Sequence, residues 1–274
     1  LGTRNGASDA KRFCADVGLS YARLSAGEPA EVRRLAFLGG TDADLLQFYT
    51  PRLQDRGWFV IGHARLKFTA LSRSRVRLCP ACVRENDPRL GPVHRGLWQV
   101  VALRVCQLHN IFLKQIKDVT LPDDPVPALQ QPVAPSVRPL EGYLRDRIVH
   151  GPGEAWLDRQ AFHVVHLLSE ALGTLTLQSP AGKAHGLGLT DLVAAGSAGF
   201  EVIREGPTAV RAFLLELWHR AGRPTRAYAQ LFRPVMRCLL ERRRDPEFDE
   251  LRELIREFVL DTFHVPAGTS LLGQ

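Results

Sequence analysis

The sequence predicts a mainly α protein: a helical N-terminal module with a Cys3His zinc ribbon, a Pro-rich connector and a C-terminal helical domain. Three observations predict it. Cys79-Pro80-Ala81-Cys82 and Cys106-Gln107-Leu108-His109 form C-x2-C and C-x2-H pairs on either side of a 23-residue insert, 83–105. Six prolines fall within 122–139, which excludes a regular helix and favours an extended connector. Beyond them, apolar residues recur at helical spacing towards the C-terminus. The expected division is 1–57 (helical, helix-turn-helix-like), 58–121 (zinc-ribbon module), 122–139 (connector) and 140–274 (helical domain).

In chain order, Ser8 to Val17 and Ser20 to Leu24 read as two short helices about a Gly18 turn, packed through Phe13, Val17, Leu19 and Leu24. Any αα-hairpin with a Gly turn has this spacing. Glu31 to Leu38 reads as a helix ended by Gly39-Gly40, and Thr41 as the cap of another that carries Leu45, Leu46, Phe48 and Tyr49. Pro51 breaks that one. Trp58-Phe59-Val60-Ile61 is an apolar run too short to tell strand from buried helix. Arg73, Arg75 and Arg77 alternate, so an extended segment projects all three from one face, as candidates to track a phosphate backbone. A solvated edge leading into the metal turn is the alternative. Trp98 is expected beneath the metal, because small metal modules have little core of their own.

The C-terminal helices are read from their stripes. Glu154 to Leu172 carries Trp156, Phe162, Val165, Leu168 and Leu172, and stops at Gly173. Gly206-Pro207 opens a helix closed by Gly222. Thr225 caps the next, which Pro234 kinks or splits, and Asp245-Pro246 opens the last, with Phe248, Leu251, Ile255, Phe258 and Val259 on one side.

Cysteine is scarce, five in 274 residues, and three fall in the one pattern. Cys79, Cys82, Cys106 and His109 make a closed tetrahedral set for one structural Zn²⁺ per chain, with no position left for water. Cys14 and Cys238 lie among apolar residues and read as core. This usage suits a reducing cytosol. The chain opens on Leu1 and is read as trimmed. No signal peptide and no apolar run near the roughly 20 residues of a membrane span is visible.

The surroundings of the ligand pairs are specific. Arg77, Cys79, Pro80, Cys82, Asp87, Trp98, Cys106 and His109 stand in the order R-x-C-P-x-C, acidic residue, Trp, C-x-x-H. In this the stretch resembles the TniQ family of bacterial transposition proteins. A looser similarity runs from Arg4-Asn5-Gly6 through Phe200 to Gly206 and on to Leu271-Leu272-Gly273. Two features depart from the family. Many relatives carry a second Cys-rich ribbon, whereas 111–121 holds no cysteine, and some continue past the equivalent of Gln274 into another helical DNA-binding segment. The resemblance implies a non-catalytic adaptor in target-site selection or recruitment of the transposition machinery. Its implied partners are DNA or a nucleoprotein complex, a separate DDE-type transposase and an AAA+ ATPase. A second copy of the chain is a further partner, and the implied setting is prokaryotic cytoplasm.

The charge distribution agrees with a nucleic-acid partner. Residues 1–117 hold 19 Lys/Arg against 9 Asp/Glu, and residues 118–274 hold 17 against 20. Zn²⁺ with three thiolates adds only −1, so the basic excess stays with the half that carries the metal pattern. Arg outnumbers Lys 31 to 5, which suits bidentate phosphate contacts.

Other sites fail on chemistry. His163 and His166 share a helix face without a third ligand, and read as a surface pair. Gly182-Lys183 lacks the remainder of a phosphate loop, and no nucleophile elbow or dinucleotide fingerprint appears. A zinc-stabilised DNA-binding transcription or phage-related regulator is the alternative function, favoured by operator-specific binding. A metal-dependent nuclease is a third, favoured by metal-dependent cleavage.

Overall fold

A computed structural model describes residues 6–73, 75–85, 95–116, 132–177, 188–224, 228–265 and 271–272. The fold is mainly α. The chain divides into two compact units: residues 1–134 with 145–152, and residues 135–144 with 153–274.

In the first unit, α1 (Ala10–Asp16) and α2 (Tyr21–Ser25) form the expected pair. The Asp9 carboxylate accepts from the Arg12 N–H at 2.8 Å and the Ser20 hydroxyl from the Arg23 N–H at 3.4 Å, so each helix has its cap. Gly18 turns the chain at φ 71°. Phe13, Cys14 and Leu19 are buried between them, with Val17, Leu24 and Leu35 packed on top. α3 (Pro29–Gly39) starts at Pro29, because a fixed φ suits the first helical position. Glu31 is buried and accepts the Ser20 N–H at 3.0 Å, which ties α3 to the start of α2. α4 (Ala43–Phe48) is capped by Asp42 rather than the expected Thr41: the Asp42 carboxylate takes the Leu45 N–H at 2.8 Å.

A three-stranded antiparallel sheet follows, built from β1 (Arg52–Asp55), β2 (Trp58–Ile61) and β3 (Ala64–Lys67) in that order. The ambiguous apolar run is therefore its central strand, and β1 and β3 went unread. Phe59, Ile61 and Leu66 are buried on one face. The chain continues through β4 (Val76–Leu78) into α5 (Pro80–Glu85), and later into β5 (Lys114–Ile116). β4 and β5 pair antiparallel, with Arg77 opposite Gln115.

The chain passes through a short turn, Pro135–Val137, into α6 (Pro139–Val149), within which the division into units falls. Within the first unit, Ile148 accepts the His63 N–H at 2.9 Å. Of the expected connector, 122–131 lies outside the described residues; Val133 donates its N–H to Asn110 at 2.5 Å.

Among its described residues, the regular elements of the second unit are all helices. The stripe over 154–172 is split into α7 (Trp156–Arg159) and α8 (Phe162–Leu177), and α8 runs four residues beyond Gly173. Gly173 is a packing residue, not a stop. A Cβ there would lie 1.7 Å from the Ala195 carbonyl oxygen, and one on Gly199 would lie 1.8 Å from that of Ser169. α8 and α9 (Leu189–Ile203) thus press backbone to backbone. α10 (Pro207–Arg220) begins and ends as expected, with Gly222 at φ 79°. α11 (Tyr228–Leu231) and α12 (Arg233–Glu241) divide at Phe232, with Pro234 in the first turn of α12. The expected Thr225 cap lies outside the described residues. A single turn, Pro246–Phe248, precedes α13 (Asp249–Thr262), which buries Leu251, Ile255, Phe258 and Val259 as expected. Phe232, Phe258 and Phe263 form an edge-to-face cluster with centroids 5.6–6.4 Å apart.

His163 and His166 are buried rather than on the surface. α8 is apolar around most of its circumference, so both turn inward, and each is matched by a carboxylate: Asp245 at 2.9 Å and Glu170 at 3.0 Å.

Candidate metal centre

Each ligand pair is delivered by its own turn. β4 leads straight into Cys79, and Pro80 starts α5, so Cys82 comes round within one helical turn of Cys79. Near the second pair, the chain reverses at His109-Asn110. The Asn110 N–H donates to the Cys106 carbonyl, and the Cys106 N–H to that of Ile111, both at 2.8 Å. Asn110 takes φ 55°, a left-handed conformation that Asn tolerates better than most residues.

The four side chains converge as the spacing requires. Their donor atoms all lie within 4.8 Å of one another, an arrangement that could hold a metal ion. His109 Nδ1 is 3.5 Å from Cys79 Sγ, 3.3 Å from Cys82 Sγ and 3.7 Å from Cys106 Sγ. The Cys82 and Cys106 sulfurs are 3.7 Å apart. All three thiols are buried. Trp98 packs with them, beside Leu78, Ile111 and Leu113, as expected of an aromatic lent to a small metal module.

Two of the three thiols, Cys79 and Cys82, resist ionisation without a cation. Burial, and then the neighbouring Cys106 and Cys79 thiols, push the Cys82 thiol up to about 12, and burial also pushes Cys79 up. Burial opposes ionisation of Cys106 too, yet the backbone N–H groups of His109 and Leu108 hold it below the ordinary thiol range. The hydrogen bond to Cys106, and then the Glu85 carboxylate, raise His109.

Glu85 is the site residue that sequence reasoning missed. From the last position of α5 it places both carboxylate oxygens 2.8 Å from His109 Nε2. A carboxylate on the outer nitrogen of a ligating histidine fixes the ring and leaves Nδ1 for the metal. Its signal was its position, three residues after Cys82, where a helix starting at Pro80 brings it back over the cluster. Asp87, the acidic residue of the motif, lies outside the described residues.

Residues 1–113 match the TniQ family model. Over that span, which is less than half of the chain, the sequence is similar to TniQ proteins. The matched span covers both ligand pairs and ends just before β5. No curated protein and no solved structure matches the chain.

The three arginines of the matched segment do not share one environment. Arg77 is half-buried and donates to the Val100 and Leu103 carbonyls, both at 2.7 Å, which draws the stretch before Cys106 onto β4. Arg73 and Arg75 are exposed. One N–H of Arg73 reaches the Ser25 carbonyl at 2.8 Å, and one of Arg75 reaches Gln115 Oε1 at 3.2 Å. Among the described residues, no helix is long and apolar enough to cross a membrane.

Proposed function

We propose that this protein is a zinc-binding, TniQ-like accessory protein of DNA transposition, a non-catalytic adaptor in target-site selection or recruitment of the transposition machinery. The match over residues 1–113, with a four-ligand cluster inside it, carries this reading. The distances are compatible with zinc. A tetrahedron with Zn–S near 2.3 Å and Zn–N near 2.0–2.1 Å has S···S edges of about 3.8 Å and S···N edges of about 3.6 Å. The Sγ···Sγ separation of 3.7 Å and the Sγ···Nδ1 separations of 3.3–3.7 Å lie close to those edges. Cys79, Cys82, Cys106 and His109 hold the ion, and Glu85 orients His109. Three thiolates and an imidazole fill a zinc coordination sphere, so the ion crosslinks the module and leaves no position for a reacting water.

The basic half, residues 1–117, faces nucleic acid or a nucleoprotein complex. The acidic half, residues 118–274, faces a protein partner or a second copy of the chain. Two moderate contacts on one chain raise the effective concentration at each, so neither need be tight alone. The protein acts in the prokaryotic cytoplasm.

Co-purification tests the adaptor directly. The full chain should retain a transposase or an AAA+ ATPase of the transposition machinery, and should not cut DNA with Mg²⁺ or Mn²⁺. Failure to retain either, together with metal-dependent cleavage abolished by carboxylate substitutions, would replace the adaptor with an enzyme.

A further inference from the structure

We propose that a cleft in the N-terminal unit, between α2, the segment after α4 and the approach to β4, receives one phosphate group of a nucleic acid, held between Arg73 and Arg75. The occupant rests on the reading above, that the basic half meets nucleic acid. The cleft measures about 270 Å³. That is too little for a helix in a groove, and suits a single phosphate with its sugar.

Charge selects the ligand. Arg73 and Arg75 are the charged residues lining the cleft, and no carboxylate joins them among the described residues. Leu24, Pro51 and Val76 supply an apolar lining on which a sugar can rest. The hydroxyls of the lining are turned away from donating to an anion. Ser25 donates to the Tyr21 carbonyl at 2.7 Å, Thr50 to Leu46 at 2.6 Å and Ser72 to Arg75 at 3.0 Å. The charged donors for an anion are therefore the two guanidinium groups, with Gln99 the remaining polar residue of the lining. Both are already oriented. Arg73 is held by the Ser25 carbonyl and lies 4.8 Å from the Phe59 ring centre, and Arg75 is held by Gln115. A guanidinium carries five N–H donors in a fixed fork, so these contacts leave donors for a phosphate. Arg77 is not part of the lining.

The test uses the full zinc-loaded chain, a short DNA duplex followed by fluorescence anisotropy over a salt series, and inorganic phosphate followed by amide NMR. One phosphate clamped by two arginines makes a numerical prediction. Replacing both (Arg73→Gln with Arg75→Gln) should flatten the log–log salt slope by about 0.9, the value for one phosphate, rather than by twice that. Phosphate should shift the Ser25 and Ser72 amide signals saturably in the parent, and not in the double variant. Because Arg73 also braces Ser25, Arg75→Gln alone serves if the double variant melts early. DNA binding with an unchanged slope and an unchanged phosphate response would overturn the cleft and leave the nucleic-acid reading intact. Phosphate uptake at these amides without DNA binding would keep the anion site and overturn its nucleic-acid occupant. Neither response would remove both.

Discussion

At the scale of single residues, Glu85 and Arg77 do different work on the same module. Glu85 is 66% exposed as a side chain, so its removal leaves no hole, yet it fixes the ring of a proposed zinc ligand. Glu85→Gln should weaken zinc binding by roughly 10- to 100-fold in a chelator competition, with little change in the far-ultraviolet spectrum. An equal affinity in the variant would reduce the contact to a surface pair. Arg77→Ala leaves two carbonyls of the 100–103 turn without their charged donor. It should cost about 1.5–3 kcal/mol in a denaturant melt, and Arg77→Lys should restore little, because an ammonium cannot span both acceptors as the fork does. Acid should act through the ligands themselves. Cys82, pushed up to about 12, holds a proton at neutral pH until a metal displaces it, and His109 takes up its proton more readily than an ordinary histidine. Zinc uptake should therefore release protons, and falling pH should reverse it, read as metal liberated to a colorimetric chelator. Elemental analysis should give one zinc per chain, and Cys106→Ala should lose both the ion and the fold of the module.

Among the elements, the α8–α9 contact makes the clearest demand. Helix propensity alone favours alanine over glycine by about 1 kcal/mol. At Gly173 a methyl group would meet the Ala195 carbonyl oxygen at 1.7 Å, so the clash outweighs that gain. Gly173→Ala and Gly199→Ala should each destabilise by about 1–3 kcal/mol, measured by chemical denaturation. This contact also marks where the sequence stopped being legible. Gly173 follows an apolar stripe, which is how a helix stop looks in one dimension; only the neighbouring helix reveals it as a place of close approach. Helices with chemical end signals were readable: Gly39-Gly40 at the end of α3, Pro207 at a first turn, Pro234 at a split. The strands were not, since β1 and β3 are four residues each, β1 exposed along its whole length and β3 with only two buried positions, too short for alternation to separate from loop. Asp42 displaced Thr41 as a cap by one position, within the tolerance of any pattern. The ligands were legible because their spacing is itself the geometry of a turn. Glu85 was not, because an exposed glutamate on a helix is ordinary until the histidine beside it is placed.

For the whole molecule, the charge division and the Pro-rich stretch make a proposal about architecture. The prolines ahead of the Pro135–Val137 turn (Pro122, Pro125, Pro127 and Pro132) suit an extended connector, so limited proteolysis should cut first within 122–134. Cuts elsewhere, with that stretch intact, would mean that it is pinned against one shared body. The α8–α9 interlock carries a consequence for folding order as well. The two helices are neighbours in sequence, so their contact closes only a short loop, and such local contacts are the inexpensive ones to form early. The close backbone approach at Gly173 and Gly199 also shields the peptide groups around those two glycines. In deuterium exchange those amides should be the last in the chain to label. They should keep that rank after chelation has released the Cys79–His109 stretch, so that the helix pair outlives the metal module as the chain's most persistent structure.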